Sequence, residues 1–283
     1  MVHGDNIVIS DSKIAPDFLK HGRSDACPVI DMHGHMGGWA GIFFPDASTE
    51  AMVADMDRAG VRMHCFCHHG ALTSPDVGND ANVAAVRKFP TRLRAYMGVN
   101  PQYMDVVDRD LDRFDSLRDV FIGFKFLAGY HGIPWDAPQY ERAWKMAQER
   151  KTLLLGHTWG GPGGAGRPDG PAQVRKAAAK YPDVRLMLGH SLHSSWDEAI
   201  AIAQEFPNVY LELTAVLDDR GVLEMFVGAG LAKKVLYGTD LPWFNEHHYI
   251  GAVLSAKITD EDRHDILHRN AEKLLAEQGV KVA

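Results

Sequence analysis

Short apolar runs alternate along the chain with stretches in which apolar residues recur every three or four positions, from Pro28 nearly to the end. The runs read as strands over Val29–His33, Val61–Cys67, Leu93–Val99, Phe121–Phe126, Thr152–His157, Val184–His190, Val209–Thr214 and Val235–Asp240. Between them, spacing near 3.6 predicts helices over Thr49–Ala59, Asp80–Phe89, Val106–Leu117, Tyr140–Arg150, Pro171–Tyr181, Ser195–Phe206 and Gly221–Ala229. Stop signals fall where the pattern needs them. Gly60 follows the first helix, and Phe89-Pro90, Tyr181-Pro182 and Phe206-Pro207 close three others, because the residue before a proline is pushed out of the α region. Ser48 or Thr49 is placed to cap the first helix.

Eight strand-then-helix units predict an α/β fold of the (β/α)₈ TIM-barrel type, with right-handed crossovers closing the sheet. An open doubly wound sheet would call for a Gly-rich first turn, and Gly34 to Gly41 matches no dinucleotide fingerprint. Residues 1–26 read as an N-terminal extension packed on the barrel, and residues 259–277, with their periodic part Asp260–Glu277, as a terminal helix. No linker or low-complexity tract interrupts the pattern, so one domain is expected over residues 1–283.

Composition narrows the function classes. Hydrophobic residues at 46% and charged residues at 24% are those of a globular protein, which excludes a disordered or fibrous chain. Thirty basic against thirty-seven acidic residues, a formal charge of −7, leave no electrostatic footprint for nucleic acid. No run approaches the ~18 apolar residues of a membrane span. The opening Met1 to Asp11 is polar and carries no secretory h-region, so a cytoplasmic protein with neither nucleic-acid nor membrane partner is expected. Three cysteines, Cys27, Cys65 and Cys67, make no disulfide framework and fit reduced thiols. Cys65-Phe66-Cys67 before His68 and His69 resembles a metal cluster, but it lies in an apolar strand-like run where small buried thiols are common.

Fifteen histidines are many for this length, and their positions carry the chemistry. His33 and His35 stand two apart at the end of the first strand, so both can project to one face. The fifth strand ends on Gly156-His157, the sixth on Gly189-His190, and the eighth on Gly238-Thr239-Asp240. In a barrel the C-terminal strand ends converge on one face. Imidazoles and a carboxylate gathered there suit a divalent ion such as zinc.

These residues resemble the amidohydrolase superfamily, within it the amidohydrolase-related branch (amidohydrolase 2) that also holds the aminocarboxymuconate-semialdehyde decarboxylase-like proteins. The resemblance runs from Val29 to Leu275. Its landmarks are Asp31-Met32-His33-Gly34-His35, Gly98-Val99-Asn100-Pro101, Gly123-Phe124-Lys125-Phe126, the two Gly-His strand ends, Pro207 to Leu213, Gly238 to Pro242 and Asn270 to Leu274. It implies that His33, His35, His157 and Asp240 ligate one divalent metal, zinc by default, with manganese, cobalt or iron also served by such ligands. His190 then binds a second metal or acts beside the metal-bound water, and Asp240 is similar to the residue that takes that water's proton. Asp31 shares the strand face and can anchor a ligand from behind.

Lys125 has three readings. In binuclear relatives a lysine on the fourth strand is carboxylated and bridges two metals. It can instead meet a substrate carboxylate, or pair with a neighbouring acid as an ordinary barrel lysine. Decarboxylases of the branch often lack this lysine, which favours hydrolysis. Loops after the strands carry the specificity: Trp39, Phe43, Phe44, Tyr130, His131, Trp159, Trp243, His247 and His248 suit a planar or ring-shaped substrate. Trp159 to Gly170 is Gly-rich without a Walker lysine, and reads as a mobile lid placing Arg167 over an anionic substrate.

The leading expectation is a metal-dependent hydrolase that opens a C–O or C–N bond, as in a lactone or amide, in a small carboxylated ring compound. A nonoxidative decarboxylase or hydratase at the same site comes second, and a non-catalytic metal-binding barrel third. Barrels of this kind often self-associate, so a homo-oligomer is an open expectation.

Overall fold

Eight parallel strands follow one another in chain order around a single sheet. They are β1 Val29–Met36, β2 Val61–His68, β3 Leu93–Val99, β4 Phe121–Phe126, β5 Leu153–Trp159, β6 Arg185–His193, β7 Val209–Glu212 and β8 Val235–Leu236. The computed structural model describes residues 12–161 and 166–282. The end of β8 returns to β1. The Met32 N–H donates to the Tyr237 carbonyl at 2.9 Å, the His35 N–H to the Leu241 carbonyl at 2.7 Å, and Gly34 bridges Leu241. With helices on the connections, this is the (β/α)₈ barrel that the alternation predicts.

The helices lie at Thr49–Ala59, Asp80–Lys88, Met104–Arg113, Pro138–Arg150, Pro171–Lys180, Trp196–Glu205 and Val222–Gly228, within a few residues of their predicted bounds. Ser48 caps the first of them by accepting the Ala51 N–H at 3.2 Å. Among the described residues, four further α-helices were not legible in the periodicity: Ala15–His21, His69–Thr73, Ala128–His131 and Glu246–Ser255. Three of these are too short to show a period. The fourth opens Glu246-His247-His248, which hides its apolar face. The terminal helix is not continuous: helical turns at Asp260–His264 and Asn270–Glu277 flank a π-helical turn at Asp265–Arg269.

Strands covered by helices outside and packed inside are buried along their length, which is why β1 and β4 are buried throughout. On β5 the period of two is plain. Leu154 faces the helices, while Leu153 and Leu155 point inward with Ile30, Met63, Ile122 and Met187. Ala271, Leu274 and Leu275 of the C-terminal helix join this interior cluster and plug it. Cys65 and Cys67 lie in it too, buried as free thiols, as the apolar run suggested. β8 pairs with β7 only at Val235 and Leu236, shorter than the predicted Val235–Asp240, because Tyr237 to Asp240 turns to β1 instead. Among the described residues no helix is long and apolar enough to cross a membrane.

Gly123 shows how tightly the strands meet. A Cβ there would overlap the Leu153 carbonyl on β5, a backbone atom that cannot swing aside. Gly123→Ala is therefore expected to cost about 1–3 kcal/mol, as overpacking does, read as a lowered urea midpoint at unchanged slope. A midpoint equal to wild type would mean that the two strands separate freely.

Candidate active site

Five imidazoles meet at the barrel mouth: His69, with Nδ1 on the Gly37 carbonyl at 2.8 Å, and four on the strands held the same way. His33 Nδ1 meets Glu212 Oε2 at 2.7 Å, His35 Nδ1 the Cys67 carbonyl at 2.8 Å, His157 Nδ1 Asp169 Oδ2 at 2.9 Å, and His190 Nδ1 the Thr214 carbonyl at 3.2 Å. Each partner is an acceptor, so each Nδ1 carries the proton and each Nε2 keeps its lone pair. A histidine anchored through one nitrogen to a carboxylate or carbonyl is how metal-binding imidazoles are oriented. Burial holds His33, His157 and His190 below the ordinary histidine range, with Lys125 adding to the effect at His33 and His157 at His190. Neutral imidazole is the ligating form.

Asp240 completes the arrangement. Its Oδ1 lies 3.1 Å from His33 Nε2 and 3.0 Å from His35 Nε2, is buried, and has no hydrogen-bond partner. A carboxylate oxygen facing two imidazole lone pairs is the donor set a divalent cation satisfies. The donor atoms of His33, His35 and Asp240 all lie within 4.8 Å of one another. His157 sits in the same cavity but outside that group of three, its ring 4.6 Å from that of His190. Burial pushes the Asp240 carboxyl up, and positive charge on His33 or His35, where either ring takes a proton, pulls it down harder, leaving it well below the usual carboxylate range.

Lys125 Nζ stands 2.7 Å from His33 Nε2, fully buried at the end of β4. Burial lowers its pKa, against the opposing pull of Asp240. The lysine thus lies against His33 in the cavity lining. Asp31 accepts the His33 backbone N–H at 2.9 Å and the Thr239 hydroxyl at 2.5 Å, fixing the end of β1 to the segment that carries Asp240.

Backbone strain gathers at the same mouth. His190 (φ 67°), Ala215 (φ 59°) and Asp240 (φ 59°) are non-glycine residues in the left-handed region, and all three line the cavity. Each such residue costs about 1–3 kcal/mol and persists where surrounding contacts enforce it.

Two orienting carboxylates were not singled out in the sequence. Glu212, buried, also accepts the His190 N–H at 3.1 Å and the Thr214 N–H and hydroxyl at 2.7 and 2.6 Å. Burial pushes it up to about 8, against those hydrogen bonds. A lone acid in the apolar run Val209-Tyr210-Leu211-Glu212-Leu213 was the available signal. Gly238 is glycine because any Cβ there would run into Glu212 Oε1. Asp169 is the other. It gave no local signal, lying twelve positions after the histidine it holds.

The cavity holds about 170 Å³, below the ~300–1,000 Å³ of drug-sized sites, so its occupant is small. Trp39, Tyr130, Trp159, Trp243 and Phe244 wall it, with Leu72, Leu127 and Ala215 between them, and Lys125 is the only strongly basic side chain in the lining among the described residues. Trp39, Trp159 and Trp243 thus stand where a specificity role needs them. His247 and His248 do not: they belong to the helix Glu246–Ser255, and His248 faces Asp218 at 3.3 Å. Phe43 is 86% exposed, and His131 is spent on the Leu72 carbonyl at 2.8 Å.

Arg167 corrects an expectation. Its guanidinium does not line the cavity but donates to both oxygens of Asp169, at 2.9 and 3.2 Å. A carboxylate two residues away satisfies the fork expected over a substrate, and Arg167 reaches the site only by way of Asp169, which holds His157. Residues 162–165 of the expected lid lie outside the described residues. Asp169→Asn, which keeps the shape but loses the charge behind His157, is expected to weaken metal affinity about 10–100-fold. Competition with a chelator of known affinity measures it; an unchanged constant would show that His157 needs no such support.

The amidohydrolase family model matches residues 30–276. No curated protein matches the chain. Among solved structures, an uncharacterised TIM-barrel protein of Bordetella bronchiseptica is similar at 19% identity and a TM-score of 0.71, over 89% of this chain and 100% of that one. A probable 2-pyrone-4,6-dicarboxylic acid hydrolase of Acinetobacter baumannii, with citric acid bound, follows at 13% identity and 0.66, over 88% and 99%. A 5-carboxyvanillate decarboxylase of Novosphingobium aromaticivorans, complexed with manganese and 4-hydroxy-3-methoxy-5-nitrobenzoic acid, is similar at 15% identity and 0.66, over 88% and 96%. At such identities the likeness is one of fold.

Proposed function

The chain belongs to the amidohydrolase family, and from that premise we propose that it is a metal-dependent hydrolase opening a C–O or C–N bond in a small, singly carboxylated ring compound. One observation carries the reading: Lys125 Nζ stands 2.7 Å from His33 Nε2, inside the ligand cluster and in the cavity lining. There it can meet a substrate carboxylate at the point where the reacting bond lies against Asp240. His33, His35, His157 and Asp240 would hold the ion. A divalent cation bound there polarises the substrate oxygen and lowers the pKa of water. Zinc is the default for imidazole and carboxylate donors, with manganese, cobalt and iron equally matched in ligand type; the decarboxylase of Novosphingobium aromaticivorans was complexed with manganese. Asp240 accepts the proton of the attacking water and returns it to the leaving group. His190, with Nδ1 tied to Thr214, turns Nε2 toward the reacting oxygen. The tryptophan and tyrosine walls hold the ring and exclude bulk water.

A second reading, nonoxidative decarboxylation or hydration at the same residues, is favoured by the wall itself. Aromatic and aliphatic side chains surround one cation, an environment that strips water from a carboxylate and so raises the energy of the charged ground state. A panel of small lactones, cyclic amides and aromatic mono-acids, followed by carbon dioxide release and by NMR of the products, separates the two. Ring opening without carbon dioxide supports hydrolysis, carbon dioxide with an intact ring supports the second reading, and a metal-replete protein inert to the whole panel contradicts both.

A further inference from the structure

Away from the mouth, Cys27 precedes β1 and meets His264 and His268 of the C-terminal helical segment. The thiol sulfur and one nitrogen of each histidine lie within 4.8 Å of one another. His264 Nδ1 is 3.0 Å from His268 Nε2, and His268 Nδ1 donates to Glu272 Oε1 at 2.9 Å. Cys27 and His268 are buried, and His264 is half-buried. The π-helical turn at Asp265–Arg269 begins directly after His264 and contains His268, and such turns recur at functional sites.

We propose that Cys27, His264 and His268 form a second metal site, for a soft divalent ion such as zinc, that ties the entry of β1 to the C-terminal helix. One thiolate and two imidazoles, the latter four residues apart on one helical segment, are ligand types that such an ion prefers. Glu272 behind His268 repeats the carboxylate–histidine support seen at the mouth, and leaves His268 Nε2 as the atom turned to the cluster. A water would complete the fourth position of a tetrahedral ion there. On binding, the Cys27 proton passes to solvent, a sulfur–metal bond forms, and no oxidation state changes. Without a metal the histidine–histidine–glutamate chain is already hydrogen-bonded, but the thiol takes no part in it: its contact is with the Pro28 carbonyl at 3.8 Å. A metal is what would bring the sulfur and both imidazoles to one point.

Cobalt(II) titration of the whole protein, with bound metal counted, reads this site apart from the mouth, whose proposed ligands include no thiol. The wild type is expected to take up about one cobalt per chain that shows a thiolate-to-cobalt charge-transfer band, in addition to any at the mouth. Cys27→Ser should lose the band and about one equivalent of metal. His264→Asn, at the half-buried position where folding is least at risk, should lose the band as well. A wild type without the band, or a Cys27→Ser protein with the same band and the same metal content, would overturn the proposal.

Discussion

Asp240→Asn is expected to lower kcat/KM by about 10³-fold or more. The amide keeps the shape of the side chain and loses what the site uses. Oδ1 of Asp240 lies 3.0–3.1 Å from two imidazole nitrogens and makes no hydrogen bond, so it is the one carboxylate donor in the set. Burial disfavours its charge, yet positive charge at the neighbouring imidazoles holds the carboxyl well below its usual range, which keeps it ionised at neutral pH. An asparagine cannot take a proton from the attacking water, nor balance the charge of a divalent ion. The variant should therefore lose both turnover and metal affinity, measured as kcat/KM across metal concentrations and as bound metal after dialysis. Activity within tenfold of wild type at saturating metal would remove Asp240 from the reaction. The strained backbone at this residue, φ 59°, is retained by asparagine better than by most residues, so loss of fold is not the expected cause.

The parts of this site that were legible in the sequence share one property: they sit on apolar strands whose period announces where they end. His33 and His35 on β1, His157 on β5 and His190 on β6 each follow such a run, and the barrel topology brings those ends together. Asp240 was placed by the same reasoning, although the ladder of β8 stops at Leu236 and the remaining residues bond to β1. What the pattern could not reveal is who holds the ligands. Glu212 and Asp169 act through side-chain contacts to histidines 179 and 12 positions away, and no spacing rule connects such pairs. Arg167 was misplaced for a related reason. A guanidinium on a Gly-rich segment looks available until the fold brings it onto Asp169, and the short separation then favours that pair over a ligand. His247 and His248 looked like loop residues because a helix that begins with polar side chains shows no period at its start.

His190→Asn tests the division of labour among the histidines, with turnover expected to fall about 10²–10⁴-fold while the first metal stays. The expectation rests on where the ring stands. His190 lines the cavity with its centroid 4.6 Å from that of His157 and 5.2 Å from that of His33, and like His157 it stands outside the three residues whose donor atoms converge, so its anchoring and backbone decide its role. Its Nδ1 is committed to the Thr214 carbonyl and its backbone is locked at φ 67°, so Nε2 is aimed rather than free to swing. Burial, with His157 adding to it, lowers its pKa well below the ordinary value and keeps the ring neutral. A neutral imidazole so fixed can take or relay a proton at the reacting oxygen without belonging to the metal. Asparagine retains a polar side chain and tolerates the left-handed backbone, so the substitution removes the proton-transfer group with little other change. Bound metal measured beside kcat distinguishes the outcomes. Full metal content with the predicted loss of turnover assigns His190 to proton transfer. Loss of its only metal would make His190 a primary ligand in place of one of the four proposed. Loss of one metal of two would place a second ion between His190 and Lys125, and make the lysine beside His33 a ligand rather than a partner for the substrate carboxylate.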